Sequence, residues 1–144
     1  MSWPSPAPGL VIRYAYLWAR EVAEGREEGA KDRPCAVVLV VMSPSGRSVV
    51  RVLPVTHSEP ADSEDALEIP LATKARLGLD GQRSWIMLTE ANDFFWPGPD
   101  LRPHISGNPA SVAYAMLPPR FFNELKARLH RRWLRGGRPV KRNA

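Results

Sequence analysis

Residues 10–18 alternate between apolar and intervening positions with a period of two, so that Leu10, Ile12, Tyr14, Tyr16 and Trp18 share one face. That spacing predicts a strand. A helical reading competes from Tyr14 onward, where residues 19–29 hold good helix formers, but Gly25 and Gly29 oppose a long helix. Residues 37–41 are an unbroken aliphatic run, the pattern of a strand buried on both faces. Pro44-Ser45-Gly46-Arg47 has turn chemistry, and residues 48–57 return as the paired strand of a hairpin. Residues 66–71 read as a short edge strand, because Pro70 cannot donate to a ladder. Thr73 is placed to cap one or two helical turns over residues 74–77, stopped at Gly78. Residues 84–89 form a further buried strand that ends in Glu90-Ala91-Asn92-Asp93, backed by an ordered aromatic cluster at Phe94, Phe95 and Trp96. Residues 112–116 are the last strand. Residues 119–135 then repeat Phe122, Leu125, Leu129 and Trp133 at helical spacing, with basic residues crowding the final turns. About five short strands and one C-terminal helix predict a mainly β fold, a small curved barrel or sandwich with the helix packed on it.

A length of 144 residues predicts one domain. Residues 1–8, with three prolines, read as a flexible N-terminal arm, residues 9–135 as a single barrel domain, and residues 136–144 as a basic disordered tail; loss of residues 137–144 is expected to leave the fold intact. Residues 19–32 read as a long mobile loop, with a helical turn at most, that serves either as a lid or as a solvated insertion. There is no internal repeat. No apolar run approaches the ~20 residues of a membrane span, and no signal-peptide pattern opens the chain. A cytoplasmic protein without membrane contact is therefore expected. The single Cys35 excludes an internal disulfide and a Cys-based metal site, and it reads as a packed small hydrophobe.

Charge changes this picture. The formal net charge of +5 is unevenly spread: residues 1–100 carry ten Lys/Arg and fourteen Asp/Glu, whereas residues 101–144 carry ten Lys/Arg and only Glu124. A polyanionic partner such as nucleic acid is one reading of the basic end. A solvated helix face followed by a disordered tail is the other.

The sequence has no Gly-rich phosphate loop, no His-x-x-x-His pair and no Cys pair, which argues against nucleotide-fuelled and zinc chemistry. Arg33 precedes the first hairpin strand, and Thr56 and His57 end the second. In an antiparallel pair these are the same end. Glu90 and Asp93 lie at a later strand end. Such a set suits phosphodiester chemistry on RNA, in which Arg33 supplies a charged fork, Thr56 donates to a phosphate oxygen, and His57 or a carboxylate such as Glu90 takes the proton. Strand alternation sets Thr56 and His57 on opposite faces unless a bulge or strand end falls between them. The plainer readings are a surface ion pair of Arg33 with Asp32 or Glu28, and a structural histidine at position 57.

At these residues the chain resembles the MazF/PemK family of toxins from toxin–antitoxin pairs. The resemblance rests on Gly9-Leu10-Val11-Ile12, on Glu28 with Arg33-Pro34-Cys35-Ala36-Val37-Val38-Leu39, on Pro54-Val55-Thr56, and on Leu88-Thr89-Glu90, and it spans roughly residues 9–135. It implies an SH3-like barrel, a homodimer, metal-independent cleavage of single-stranded RNA without a cofactor, and neutralisation by a cognate antitoxin protein. Arg33 and Thr56 match the catalytic positions, with His57 and Glu90 as further candidates. Lys31, Arg51, Arg128, Arg131 and Arg132 are the expected RNA-binding residues. The chain departs from the pattern at Lys31, where the family has glycine, and at Asn92-Asp93-Phe94, where a basic-small pair usually stands. A non-catalytic module on the same barrel, holding nucleic acid or a protein such as gyrase, is the alternative.

Overall fold

The alternating stretch opens the first strand, and its two faces enter two different cores. In the computed structural model, which describes residues 3–27, 29 and 31–142, the elements run β1 (Leu10–Tyr14), α1 (Ala19–Ala23), β2 (Arg33–Met42), β3 (Ser48–Thr56), β4 (Ala66–Ile69), α2 (Leu71–Leu77), β5 (Ser84–Met87), β6 (Glu90–Phe95), β7 (Ala113–Met116), α3 (Pro119–Trp133) and β8 (Arg138–Lys141). The protein is mainly β, a curled antiparallel half-barrel with a C-terminal helix. The strand order is β4-β5-β3-β2-β1-β7. The long β3 carries β2 on one side, while β6 pairs with its first half and β5 with its end. The only parallel neighbours among the described strands are β6 and β8.

Leu10, Ile12, Tyr14, Tyr16 and Trp18 all fall in one core cluster, with Cys35, Val37, Val50, Val52, Phe94 and Trp96. This is the face predicted by the period of two, and it continues past the end of β1. Val11, Ala36, Leu53, Val55 and Ile86 point the other way, into a second cluster closed by Phe121 and Leu125 of α3, with Phe122, Leu129 and Trp133 packed at its edge. The three central strands thus bury both faces, and α3 covers one of them. Gly78 ends α2 at φ +76, where a left-handed residue is needed.

Several expectations change. Burial on both faces holds for Cys35, Ala36 and Val37 but not for the whole run to Val41. The register slips between Val37 and Leu39, so that Val38 is a bulge, and beyond it Leu39 and Val41 are 44% and 45% exposed. A bulge adds a residue and re-aims the strand, and here it sends the hairpin past the edge of the core. Thr73 is no cap, because α2 begins two residues earlier with Pro70 at the cap position. Glu90–Phe95 is a strand in its own right, not a strand end. Within the predicted loop 19–32, α1 is a five-residue helix. Glu28, a position of the family match, lies outside the described residues. The basic tail contains β8, and Arg142 beyond it is buried. The arm lies along the barrel: the Trp96 indole donates to Pro4 O at 3.0 Å, and Leu10 N donates to Ala7 O. No helix among the described residues is long and apolar enough to cross a membrane.

Candidate functional site

The β2–β3 register pairs Cys35 with Pro54, which carries Arg33 to the end of β3. There Arg33, Thr56 and His57, together with Lys31, Arg13 and Tyr114, line one cleft of about 380 Å³. Arg33 Nη1 donates to Val55 O at 3.3 Å, and its guanidinium lies 5.0 Å from the centre of the Trp18 ring. Arg33 Nε is buried without a hydrogen-bond partner among the described residues. Burial pulls this guanidinium down from its ordinary value, yet an arginine keeps its charge near neutral pH. A half-buried guanidinium that keeps its charge and lines a cleft suits an anion there.

Thr56 is the last residue of β3, so the strand ends between it and His57, and both side chains reach the cleft. Thr56 Oγ1 accepts from Ser58 N at 3.1 Å, which leaves its own hydrogen free to donate. Both ring nitrogens of His57 have neighbours. Nε2 is 3.0 Å from Asp80 Oδ2, and Nδ1 is 3.0 Å from Arg83 O and 3.1 Å from Ser84 Oγ.

Behind His57 lies a network not legible from the strand pattern. Lys74 of α2 is 1% exposed, and its Nζ donates to Asp80 Oδ1, Gln82 O and Ser84 Oγ. Three acceptors use all three ammonium hydrogens. Asp80 therefore bridges the buried Lys74 and the exposed His57. The Lys74 hydrogen bond holds the Asp80 carboxyl below its ordinary range. A carboxylate depressed on folding stabilises the protein above its unfolded pKa, and that contribution is lost as pH falls through the folded value. Stability should thus decline as pH drops below about 4, the ordinary aspartate value. Lys74→Met should flatten that decline and cost roughly 3 kcal/mol at neutral pH, the low end for removing one member of a buried pair, because Asp80 is half solvated. Urea titrations at pH 7 and pH 3 measure both effects, and equal midpoints for the two proteins at pH 7 would refute this role for Lys74. The sequence offered one signal, a Lys and an Asp facing each other across the Gly78 turn.

The other predicted residues lie elsewhere. Glu90 lines a different cleft, and its Oε1 accepts from Tyr16 OH at 3.1 Å and from Ala19 N at 2.8 Å. It anchors the start of α1 and stands outside the Arg33 cleft, so it is not the base for chemistry there. Burial, followed by Glu90, pushes the Tyr16 hydroxyl up. Asp93 makes a two-pronged ion pair with Arg51 at 2.8 and 2.9 Å, which places both in the sheet frame, with the Arg51 guanidinium over Trp133. The helix arginines meet the acidic loop that precedes β4. Arg132 pairs with Asp65 at 2.9 Å, Arg131 with Glu64 at 3.4 Å, and Arg128 donates to Ser63 O at 2.9 Å. Three of the basic residues read along the helix, Arg128, Arg131 and Arg132, are thus paired locally. Cys35 is fully buried and its thiol is pushed up by that burial, in keeping with a packing role.

Of the sequence-predicted site, the fold therefore brings together Lys31, Arg33, Thr56 and His57. It separates from them Glu90, Arg51, Arg128, Arg131 and Arg132, and it adds Arg13, Tyr114 and the Lys74–Asp80 pair. Comparison of the chain with protein-family models, with curated proteins and with solved structures finds no match.

Proposed function

We propose that the protein is a metal-independent endoribonuclease of the MazF/PemK toxin type, built on an SH3-like barrel and acting on single-stranded RNA in the Arg33 cleft. One observation carries this reading: Arg33 and the Thr56–His57 pair, from separate strands, line the same cleft. Cleavage by the 2′-hydroxyl needs a proton acceptor, a proton donor for the leaving 5′-oxygen, and positive charge at the phosphorane. Arg33 supplies the charge, and the Thr56 hydroxyl a hydrogen bond to a phosphate oxygen. With Glu90 in another cleft, His57 is the proton-transfer group: once Nε2 leaves Asp80 it takes the 2′-hydroxyl proton and returns it to the leaving 5′-oxygen. Incubating the purified protein with a long single-stranded RNA in EDTA should give fragments with 2′,3′-cyclic phosphate and 5′-hydroxyl ends. Intact RNA would count against the reading. A cognate antitoxin would act by covering this cleft.

The toxin reading includes a homodimer. The exposed Leu39, Val41 and Met42, on the hairpin that overruns the core, support it as an apolar edge in need of cover. Light scattering at micromolar concentration should give twice the chain mass, and Val41→Glu should return the monomer. A monomer mass for the parent protein would sink this part of the proposal.

The second reading is a non-catalytic binding module, including one that holds gyrase. It is favoured by the two occupied nitrogens of His57, which must release a partner before moving a proton. RNA binding without cleavage in the same assay would select it.

A further inference from the structure

A second cleft, of about 580 Å³, opens between α1, the start of β6 and the link from α3 to β8. Arg20, Arg132, Arg135 and Arg138 line it, against one carboxylate, Glu90. Their surroundings differ. Arg132 is spent on Asp65 at 2.9 Å and on Gly136 O at 2.7 Å. Arg20, Arg135 and Arg138 are exposed, and no carboxylate among the described residues pairs with them, in contrast to Arg128, Arg131 and Arg132. Glu90 is already engaged by Tyr16 OH and Ala19 N. Gly136 has open space where a side chain would stand, so a ligand can approach the backbone there, whereas Gly137 is packed against the Trp133 ring.

The cleft also adjoins the first. The Arg20 guanidinium lies 4.9 Å from the centre of the Trp18 ring and that of Arg33 lies 5.0 Å from the same centre. One buried indole therefore separates a cation of each cleft.

We propose that this second cleft binds the phosphodiester backbone of the RNA whose scissile phosphate sits at Arg33. Arg20, Arg135 and Arg138 are the phosphate contacts. This rests on the reading of RNA as the substrate and extends it, moving the backbone contacts from the paired arginines of α3 to the uncompensated arginines beside α1. Guanidinium forks match phosphate oxygens, and three such groups with no carboxylate partner among the described residues lose no ion pair there when a phosphate arrives. An acidic protein segment would meet the same charge. RNA is favoured because the row of cations continues past Trp18 to the cleft that holds Arg33.

The test is fluorescence anisotropy with a 2′-O-methylated single-stranded RNA, which binds but cannot be cut, so catalysis plays no part. The parent is compared with Arg20→Gln/Arg135→Gln/Arg138→Gln and with a control of equal charge loss, Arg76→Gln/Arg120→Gln/Lys126→Gln, after melting curves show all three folded. The slope of log affinity against log salt should become shallower by roughly 0.7 for each phosphate contact removed in the first variant, and should keep its parent value in the control. A parent slope in the first variant, or equal flattening in both, overturns the proposal while the RNA reading stands. A first variant that retains RNA binding but loses binding to poly-glutamate overturns it in favour of an acidic protein partner. A parent that binds no RNA overturns both this inference and the nuclease reading.

Discussion

Arg33→Ala should lower the rate of RNA cleavage in EDTA by about 10²–10³-fold, the cost of removing one strong donor aimed at transition-state charge. The expectation follows from how Arg33 is held. Its Nη1 is fixed on Val55 O, its ring-side face rests on Trp18, and its Nε hydrogen is buried and unspent among the described residues. The group is therefore oriented before substrate arrives, and orientation fixed in advance costs nothing at the moment of reaction. Arg33→Lys keeps a positive charge but loses the planar fork, so it should recover only part of the rate. Thr56→Ala should cost roughly fivefold, since one neutral hydrogen bond contributes about 1 kcal/mol net and tenfold takes about 1.4 kcal/mol. Single-turnover cleavage of a fluorescent RNA separates these effects from binding. If folded Arg33→Ala cuts at the parent rate, Arg33 has no part in the chemistry and the binding-module reading takes its place.

The residues that define this cleft were readable because each sits at a position that a simple rule controls. Alternation placed Leu10, Ile12, Tyr14, Tyr16 and Trp18 on one face. The hairpin then brought Arg33 to the end of β3 without any knowledge of the rest of the chain. The limits are equally physical. The aliphatic run 37–41 reads as buried on both faces because composition does not reveal a bulge at Val38, and one extra residue moved Leu39 and Val41 into solvent. Glu90 looked available because it ends an acidic pair at a strand terminus, and only the fold shows that Tyr16 and Ala19 occupy it. The charge of α3 looked free because its partners, Glu64 and Asp65, are separated from it by more than half the domain in sequence. Side-chain pairing across such distances leaves no periodic trace.

The largest such correction concerns the C-terminus. Removing residues 138–144 should destabilise the protein by about 3–5 kcal/mol, the range for breaking a buried ion pair by deleting one member. At this chain length that lowers the melting temperature by roughly 10 °C. Read from composition, the segment is a dispensable basic tail. In the fold, β8 adds a parallel strand to β6, pairing Glu90 with Arg138 through to Asp93 with Lys141. Arg142 then enters the protein at 9% exposure. Its Nη1 donates to Ala15 O and Asn92 Oδ1, both at 3.0 Å, its Nη2 lies 3.0 Å from Asp100 Oδ2, and its backbone N–H donates to Asp93 O at 2.9 Å. Asn92 is itself fully buried and spans Leu17 N and Leu17 O, so the deletion unpairs groups on three segments at once. Asp100 would be left as a largely buried carboxylate with no cation, which is the expensive outcome. Arg142→Met, which keeps β8 and most of the side-chain volume, should account for most of the loss. Arg142→Lys should recover less than half, since an ammonium reaches fewer of these acceptors in their fixed geometry. Thermal melts of the four proteins decide the matter. A truncated chain that melts within about 2 °C of the parent would mean that β8 and Arg142 contribute nothing measurable to stability.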